Sequence, residues 1–226
     1  MSFFLGYTRD MLLVTAVLST AVLPAALACD LSLFSIIPTP TIPEGEERGF
    51  GWARHEYRGV ALVGGRVATM SGFSIDQWKK VLLDPGRQDE WQSERFGNKL
   101  TEVFDASHLY MRLDLSFLMG AFRIEKQVVA EFKNYERPNG YRSCWQVVDP
   151  TPHLGTVAAW NNQAEWERDT YGCWDLTRAG AATLVSYQWW TSASAIPSAV
   201  QKYVLMNTLP DMVDAFDSEV AKAAAR

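Results

Sequence analysis

The sequence predicts an α+β domain: a strand, a helical pair, a run of antiparallel strands, and one long terminal helix that must cover one face of the sheet. Three observations predict it. Leu109, Met111, Leu113 and Leu115 alternate with Tyr110, Arg112, Asp114 and Ser116, the period of a half-buried strand. Ser74 and Gln77 stand at capping-box spacing beside Ile75, Trp78, Val81 and Leu82, which recur on one helical face. After Ile196-Pro197, where proline suits the first helical position, Val213, Phe216 and Val220 supply the inner face of a last helix.

The first element in chain order is an address rather than part of the fold. Met11 to Ala28 is an apolar run closed by Ala26 and Ala28, at the two positions where a signal peptidase groove admits only small side chains. The run is also long enough to serve as an uncleaved anchor, since about 20 residues cross a bilayer core. Pro24 favours cleavage, so residues 1–28 are expected to be a signal peptide. Cys29 then stands where a bacterial lipoprotein signal places its lipidated cysteine, although Ala26 and Leu27 reverse the usual order of side chains before it. Residues 29–50 read as a Pro-rich tether, with Pro38, Pro40 and Pro43 ahead of an acidic cluster, and the domain is expected over 51–226.

Within that domain a strand is expected at Glu56 to Val63, closed by Gly64-Gly65. The capped helix follows and stops at Asp84-Pro85, and the segment around Trp91 is a second short helix or a loop. From Lys99 onward the period is two. Beyond the strand around Leu109, Phe122, Ile124, Val128, Ala130 and Phe132 line one face of the next strand, with Lys126 its one polar member. Further strands are expected at Tyr141 to Val148, Trp166 to Leu176 and Ala182 to Trp190. Pro210 removes a backbone donor inside the last helix, which predicts a kink or two consecutive helices near Leu209.

Composition narrows the function. A formal net charge of -5 and no basic run argue against a nucleic-acid partner, because phosphate binding needs clustered cations. After Ala28 no apolar stretch is long enough to cross a membrane, so attachment through Cys29 is the one membrane tether expected of a monomer. With Cys29 set aside, Cys144 and Cys173 remain as an even pair and are disulfide candidates in an oxidising compartment, the alternative being two separately buried thiols. No Gly-x-Ser-x-Gly, Walker loop or dinucleotide fingerprint occurs, and His55, His108 and His153 lack metal-ligand spacing. No catalytic residue, metal or cofactor is therefore expected. His153, in the turn-like Asp149-Pro150-Thr151-Pro152-His153, reads as a solvated loop residue. The charges Arg112, Asp114, Arg123 and Glu125 read as cross-strand pairs on a solvated face.

Three local patterns carry a family resemblance. The first helix is followed by Asp84-Pro85 and Asp89-Glu90-Trp91. Arg112-Leu113-Asp114-Leu115 leads into Arg123-Ile124-Glu125. Gly172-Cys173-Trp174-Asp175-Leu176 precedes Thr183-Leu184-Val185-Ser186-Tyr187 and then Ile196-Pro197. In this order, over Trp52 to Ala224, they resemble the START-like or SRPBCC superfamily, which includes polyketide cyclases and the birch-pollen allergen. The resemblance implies a helix-grip fold, with a curved antiparallel sheet of about seven strands, a short helical pair after strand 1, and the long helix on the concave face. It also implies a cavity between sheet and helix for an apolar ligand. This chain departs from the usual pattern in its export signal and in a Trp-rich insertion, Thr151 to Glu167.

On that fold, strand alternation sets Trp145 and Trp174 inward and Cys144 and Cys173 on the outer face of neighbouring strands, close enough to bond. The expected ligand-binding residues are Trp145, Trp174, Leu176, Thr183, Val185, Tyr187 and Trp189 from the sheet and Met206 from the helix. Lys126 joins them because a cation on an apolar face is costly unless it meets a partner or water, and it would meet a ligand's acidic head group. The expected function is an exported carrier or sensor of a lipid or other apolar small molecule in the cell envelope or periplasm, without catalysis. A cyclase- or aromatase-type enzyme in the same cavity is the alternative. A glycan-binding module using Trp160 and Trp166 beside Asn161, Asn162 and Gln163 is the third reading.

Overall fold

A computed structural model of the chain describes residues 49–57, 59–90, 92, 98–117, 122–155, 165–166, 169–192 and 198–226. The expected signal peptide, Cys29, the tether up to residue 48, Trp91, Trp160 and residues 161–163 lie outside the described residues. The strands are β1 (Gly49–Tyr57), β2 (Val60–Ser71), β3 (Asn98–Val103), β4 (His108–Phe117), β5 (Phe122–Arg137), β6 (Gly140–Val147), β7 (Glu165–Trp166), β8 (Tyr171–Ala179) and β9 (Ala182–Ser192). They form one sheet in the order β1-β2-β9-β8-β6-β5-β4-β3, antiparallel throughout, with the short β7 alongside β5 in parallel. Helix α1 (Ile75–Leu82) follows β2, and α2 (Ser198–Ala224) ends the chain. Residues 88–90 are helical as well, which completes the expected helical pair.

The beginning of the sheet differs from the sequence reading. Glu56 to Val63 is not one strand but the junction of β1 and β2: Tyr57 pairs with Val60, and Gly59 takes φ +79°, a conformation that glycine adopts without steric cost. Gly64-Gly65 is not a break. Both glycines lie inside β2, where Gly64 pairs with Trp190 and Gly65 with Trp189. A Cβ on Gly64 would overlap the Trp190 ring, and one on Gly65 would come 2.6 Å from the Leu209 Cδ1 atom, so the missing side chains make room for large neighbours.

Helix α1 begins as its capping box requires. Ser74 Oγ accepts from the Gln77 backbone N–H, and Gln77 Oε1 accepts from the Ser74 backbone N–H at 2.8 Å. Trp78 turns inward from α1 and is fully buried. Its Nε1 donates to Ser71 Oγ at 3.0 Å, and that hydroxyl donates in turn to Asp217 Oδ1 at 2.5 Å, so one serine joins the end of β2, α1 and α2. Ser71 is 3% exposed, and removing its hydroxyl strands the buried Trp78 N–H and the half-buried Asp217 carboxylate. Ser71→Ala is expected to cost about 2 kcal/mol, read as a lowered urea midpoint at unchanged slope.

Helix α2 runs unbroken through Pro210, so two consecutive helices do not form. Its buried stripe is Leu205, Leu209, Val213, Phe216 and Val220, the spacing of one helical face. That stripe meets Val63, Val67, Trp174, Leu176, Val185, Tyr187, Trp78 and Leu82 to form the main core.

The outer face of the sheet is not the solvated surface expected from its alternating charges. Tyr110 and Val129 are fully buried there, packed with Leu100, Phe104, Val148 and Trp166, and the Tyr110 hydroxyl donates to Gln127 Oε1 at 3.1 Å. Trp166 meets the Tyr110 ring edge-on at 6.2 Å, which makes it a packing residue rather than an exposed platform. His153 is likewise not a free loop residue, since it stacks on Phe104 at 5.4 Å and lies 5.0 Å from the His108 ring. Farther along the same face Cys144 pairs with Cys173, and the two form a disulfide. Beside it Arg142 grips Asp175 through two hydrogen bonds, of 2.6 and 2.8 Å.

Candidate functional site

The inner face, under α2, falls into three tiers set by strand register. The lowest tier is solid. Trp174 stacks on Tyr187 at 4.2 Å and packs on Phe216 at 4.4 Å, while Trp78 closes against Trp174 at 5.8 Å. Leu176 and Val185 are buried in the same cluster. Thr183 is buried too, its hydroxyl donating to the Phe73 carbonyl at 2.7 Å. Five of the residues expected to line a ligand, Trp174, Leu176, Thr183, Val185 and Tyr187, thus stand within or beside a packed core.

The middle tier is a single rung across five strands. Trp145 of β6 pairs with Gly172 of β8, Gly172 with Trp189 of β9, Trp189 with Gly65 of β2, and Gly65 with Trp52 of β1. Tryptophan and glycine alternate because an indole needs the space of an absent neighbour. A Cβ on Gly172 would lie 2.6 Å from the Trp145 Nε1 atom and 2.9 Å from the Gln188 carbonyl oxygen. Trp145 Nε1 donates to the Tyr187 hydroxyl at 3.2 Å. Trp189 Nε1 is also shielded from solvent but has no acceptor among the described residues. Burial pushes the Tyr187 hydroxyl far above its ordinary pKa, with the Trp145 hydrogen bond opposing, so Tyr187 stays a neutral phenol. Burial, aided by Glu136, raises Tyr141 to about 12.

The upper tier is the end of the inner face farthest from the solid core. Leu109 pairs with Ala130, Met111 with Val128, and Leu113 with Lys126, so these side chains share that face. Leu109, Val128 and Ala130 are buried, while Met111, Leu113 and Lys126 are half-buried. Helix α2 lies chiefly over β2 and α1, with lesser contact to β1 and β9, so the β4–β5 end of the sheet reaches past its main footprint. Met206 contributes nothing to any tier. It is 46% exposed on the outside of α2, because the helical phase that buries Leu205 and Leu209 turns position 206 to solvent.

The sequence reading places Trp145, Trp189 and Lys126 on the inner face as candidates; Met111, Leu113 and Val128 share that face but are not among the candidates, and Gly65 and Gly172, which make room for the rung, are not read as such. The available signal was the register in which Gly64-Gly65 meets Trp189-Trp190, a pairing of residues distant in the chain. Two crevices lie elsewhere. One, of about 30 Å³, is bordered by Leu82, Pro85, Asp105, His108 and Phe132; the other, of about 80 Å³, by Lys80, Asp84, Arg87, Glu219 and Arg226. Each has room for only a few waters, since one water occupies roughly 30 Å³. Among the described residues no three His, Cys, Asp or Glu side chains gather to hold a metal, and no helix is long and apolar enough to cross a membrane.

No family model and no curated protein matches the chain. Solved structures do. A STAR-related lipid transfer protein fragment from Xanthomonas axonopodis superposes with a TM-score of 0.61 at 18% identity, covering 81% of this chain and 99% of that one. Human StAR-related lipid transfer protein 5 superposes with a TM-score of 0.54 at 13% identity, covering 84% and 89%. A conserved protein from Geobacillus kaustophilus gives 0.51 at 14% identity, covering 71% and 96%. The matches span 89–99% of each partner. By its architecture this chain has the α+β helix-grip fold that these solved structures share.

Proposed function

We propose that this protein is an exported, non-catalytic carrier or sensor of a lipid or other apolar small molecule at the cell envelope. The observation that carries the reading is the upper tier: the inner face stays apolar through Leu109, Met111, Leu113, Val128 and Ala130 beyond the main footprint of α2. The fold agrees, since two of the matched structures are named lipid transfer proteins. A buried disulfide suits an oxidising compartment, and so supports export by the amino-terminal apolar run.

In this reading the ligand lies above the Trp145–Trp189 rung against Met111, Leu113 and Val128, with the packed tier of Trp174 and Tyr187 as its floor. Lys126, half-buried at the β4–β5 end, receives an acidic head group. The driving force is transfer of hydrocarbon from water, about 0.8 kcal/mol per methylene, so eight buried methylenes supply roughly 6 kcal/mol before ordering costs. Cys29, once freed by cleavage after Ala28, carries the acyl chains that hold the domain to a membrane.

The test is native mass spectrometry of protein gently extracted from an exporting bacterial host. The expected spectrum shows a lipid-sized non-covalent adduct, a start at Cys29 and added acyl mass. Repeated spectra of bare, folded protein would contradict the carrier reading, whatever the state of Cys29.

A further inference from the structure

The middle tier holds an unused polar group. Trp189 Nε1 is shielded from solvent and has no acceptor among the described residues, on a rung otherwise made of rings and glycines. An indole nitrogen is a donor only, so the lack cannot be met by turning the ring into a different hydrogen-bonding role. Leaving such a donor unpaired is costly, and a packed core would ordinarily avoid the cost by placing phenylalanine there.

Its neighbours explain why no protein group answers it. The other indole of the rung, Trp145, spends its N–H on the Tyr187 hydroxyl at 3.2 Å. Tyr187 stands two residues before Trp189 on the same face and accepts from Trp145, and no described residue accepts its own proton. On the rung above, Thr191 is engaged with Thr170, the two hydroxyls 3.0 Å apart. Phe132, which pairs with Trp145, brings no acceptor. The inner face thus offers two donors, Trp189 Nε1–H and Tyr187 O–H, with no acceptor side chain assigned to either.

We infer that the ligand enters with a neutral acceptor oxygen, a ketone, ester or ether oxygen, at its buried end, and that Trp189 Nε1–H is its anchor, with the Tyr187 hydroxyl as a second donor. This inference rests on the carrier reading and narrows it. A saturated chain end at this depth leaves both donors unpaired. An ionised carboxylate would be desolvated against neutral donors, with no cation on the rung to balance it. A carbonyl or ether oxygen satisfies the donors and carries no net charge, so oxygen-bearing molecules are preferred over plain hydrocarbons of the same length.

A matched pair of probes tests this, a medium-chain methyl ketone and the alkane of equal length, titrated calorimetrically into the full mature protein. The wild type is expected to bind the ketone about tenfold more tightly than the alkane. Trp189→Phe keeps a ring and removes the donor; it is expected to bring the ketone-to-alkane affinity ratio to about one, whatever the ring change does to the alkane affinity itself. In the intact wild type, the Trp189 indole N–H resonance is expected to shift with ketone and not with alkane, a readout that needs no variant to fold. Equal wild-type affinities, a preference that survives in Trp189→Phe, or an indole signal indifferent to the ketone would overturn the anchor while leaving the carrier intact. Binding of neither probe would remove the carrier reading and the anchor together.

Discussion

Gly64→Ala is expected to destabilise the protein by about 3 kcal/mol, whereas at an open strand position the same exchange stabilises by about 0.5–1 kcal/mol. The added Cβ would fall within the Trp190 ring, which is 1% exposed and wedged among Leu62, Tyr171, Ala53 and Val60 on the outer face. A rigid indole at that burial yields only by leaving its site, and the lost packing approaches the cost of truncating a buried tryptophan. Chemical denaturation reads the effect. The double variant Gly64→Ala/Trp190→Leu is expected to recover part of the loss, because the smaller partner removes the overlap, giving a coupling of opposite sign between two residues 126 positions apart in the chain. A single-variant loss below about 1 kcal/mol would show that β2 and β9 are not held in this register.

Replacing both cysteines, Cys144→Ala with Cys173→Ala, is expected to cost about 3.5 kcal/mol, the chain-entropy value for a bond spanning 29 residues. At this chain length that corresponds to a fall in Tm of roughly 10 °C. The bond ties β6 to β8 across the Thr151 to Glu167 insertion, whose described residues include a short helical turn, Thr151–His153, and the two-residue β7. Without the bond, Arg142 and Asp175 still clasp the same two strands, so the fold is expected to survive with its midpoint lowered. A thermal melt on the double variant and one on wild type under reductant should agree. A shift of less than about 3 °C would mean that the insertion is held by its own packing on Tyr110 rather than by the disulfide.

Local signals carried most of the architecture. Period-two alternation placed Leu109, Met111 and Leu113 on one face with Val128 and Ala130, and set Lys126 among them, as the β4–β5 register has it. The Ser74–Gln77 box located α1, and the Trp-adjacent positions of Cys144 and Cys173 put both thiols on the outer face, where they bond. What the chain hid was long-range. Gly64-Gly65 looks like a break until Trp189-Trp190, over a hundred residues later, lies across it. Tyr110 alternates with charged Arg112 and Asp114, and only Val129 and Trp166, brought over it by the fold, make its position a core position. Met206 and Leu205 are equally apolar, and the phase of α2 was decided by Leu209, Val213, Phe216 and Val220 acting together. The orphaned indole of Trp189 is beyond any one-dimensional reading, since it depends on which partner Tyr187 takes.

The central claim is that ligand hydrocarbon lies on the inner face above the Trp145–Trp189 rung. Intermolecular nuclear Overhauser effects between a labelled acyl chain and the methyl groups of the protein test it most directly. The account predicts cross-peaks to Met111, Leu113 and Val128, and none to the outward-facing Met70, Leu184 and Met206, which are 47%, 38% and 46% exposed. Cross-peaks confined to those three exposed residues, or none at all, would contradict it.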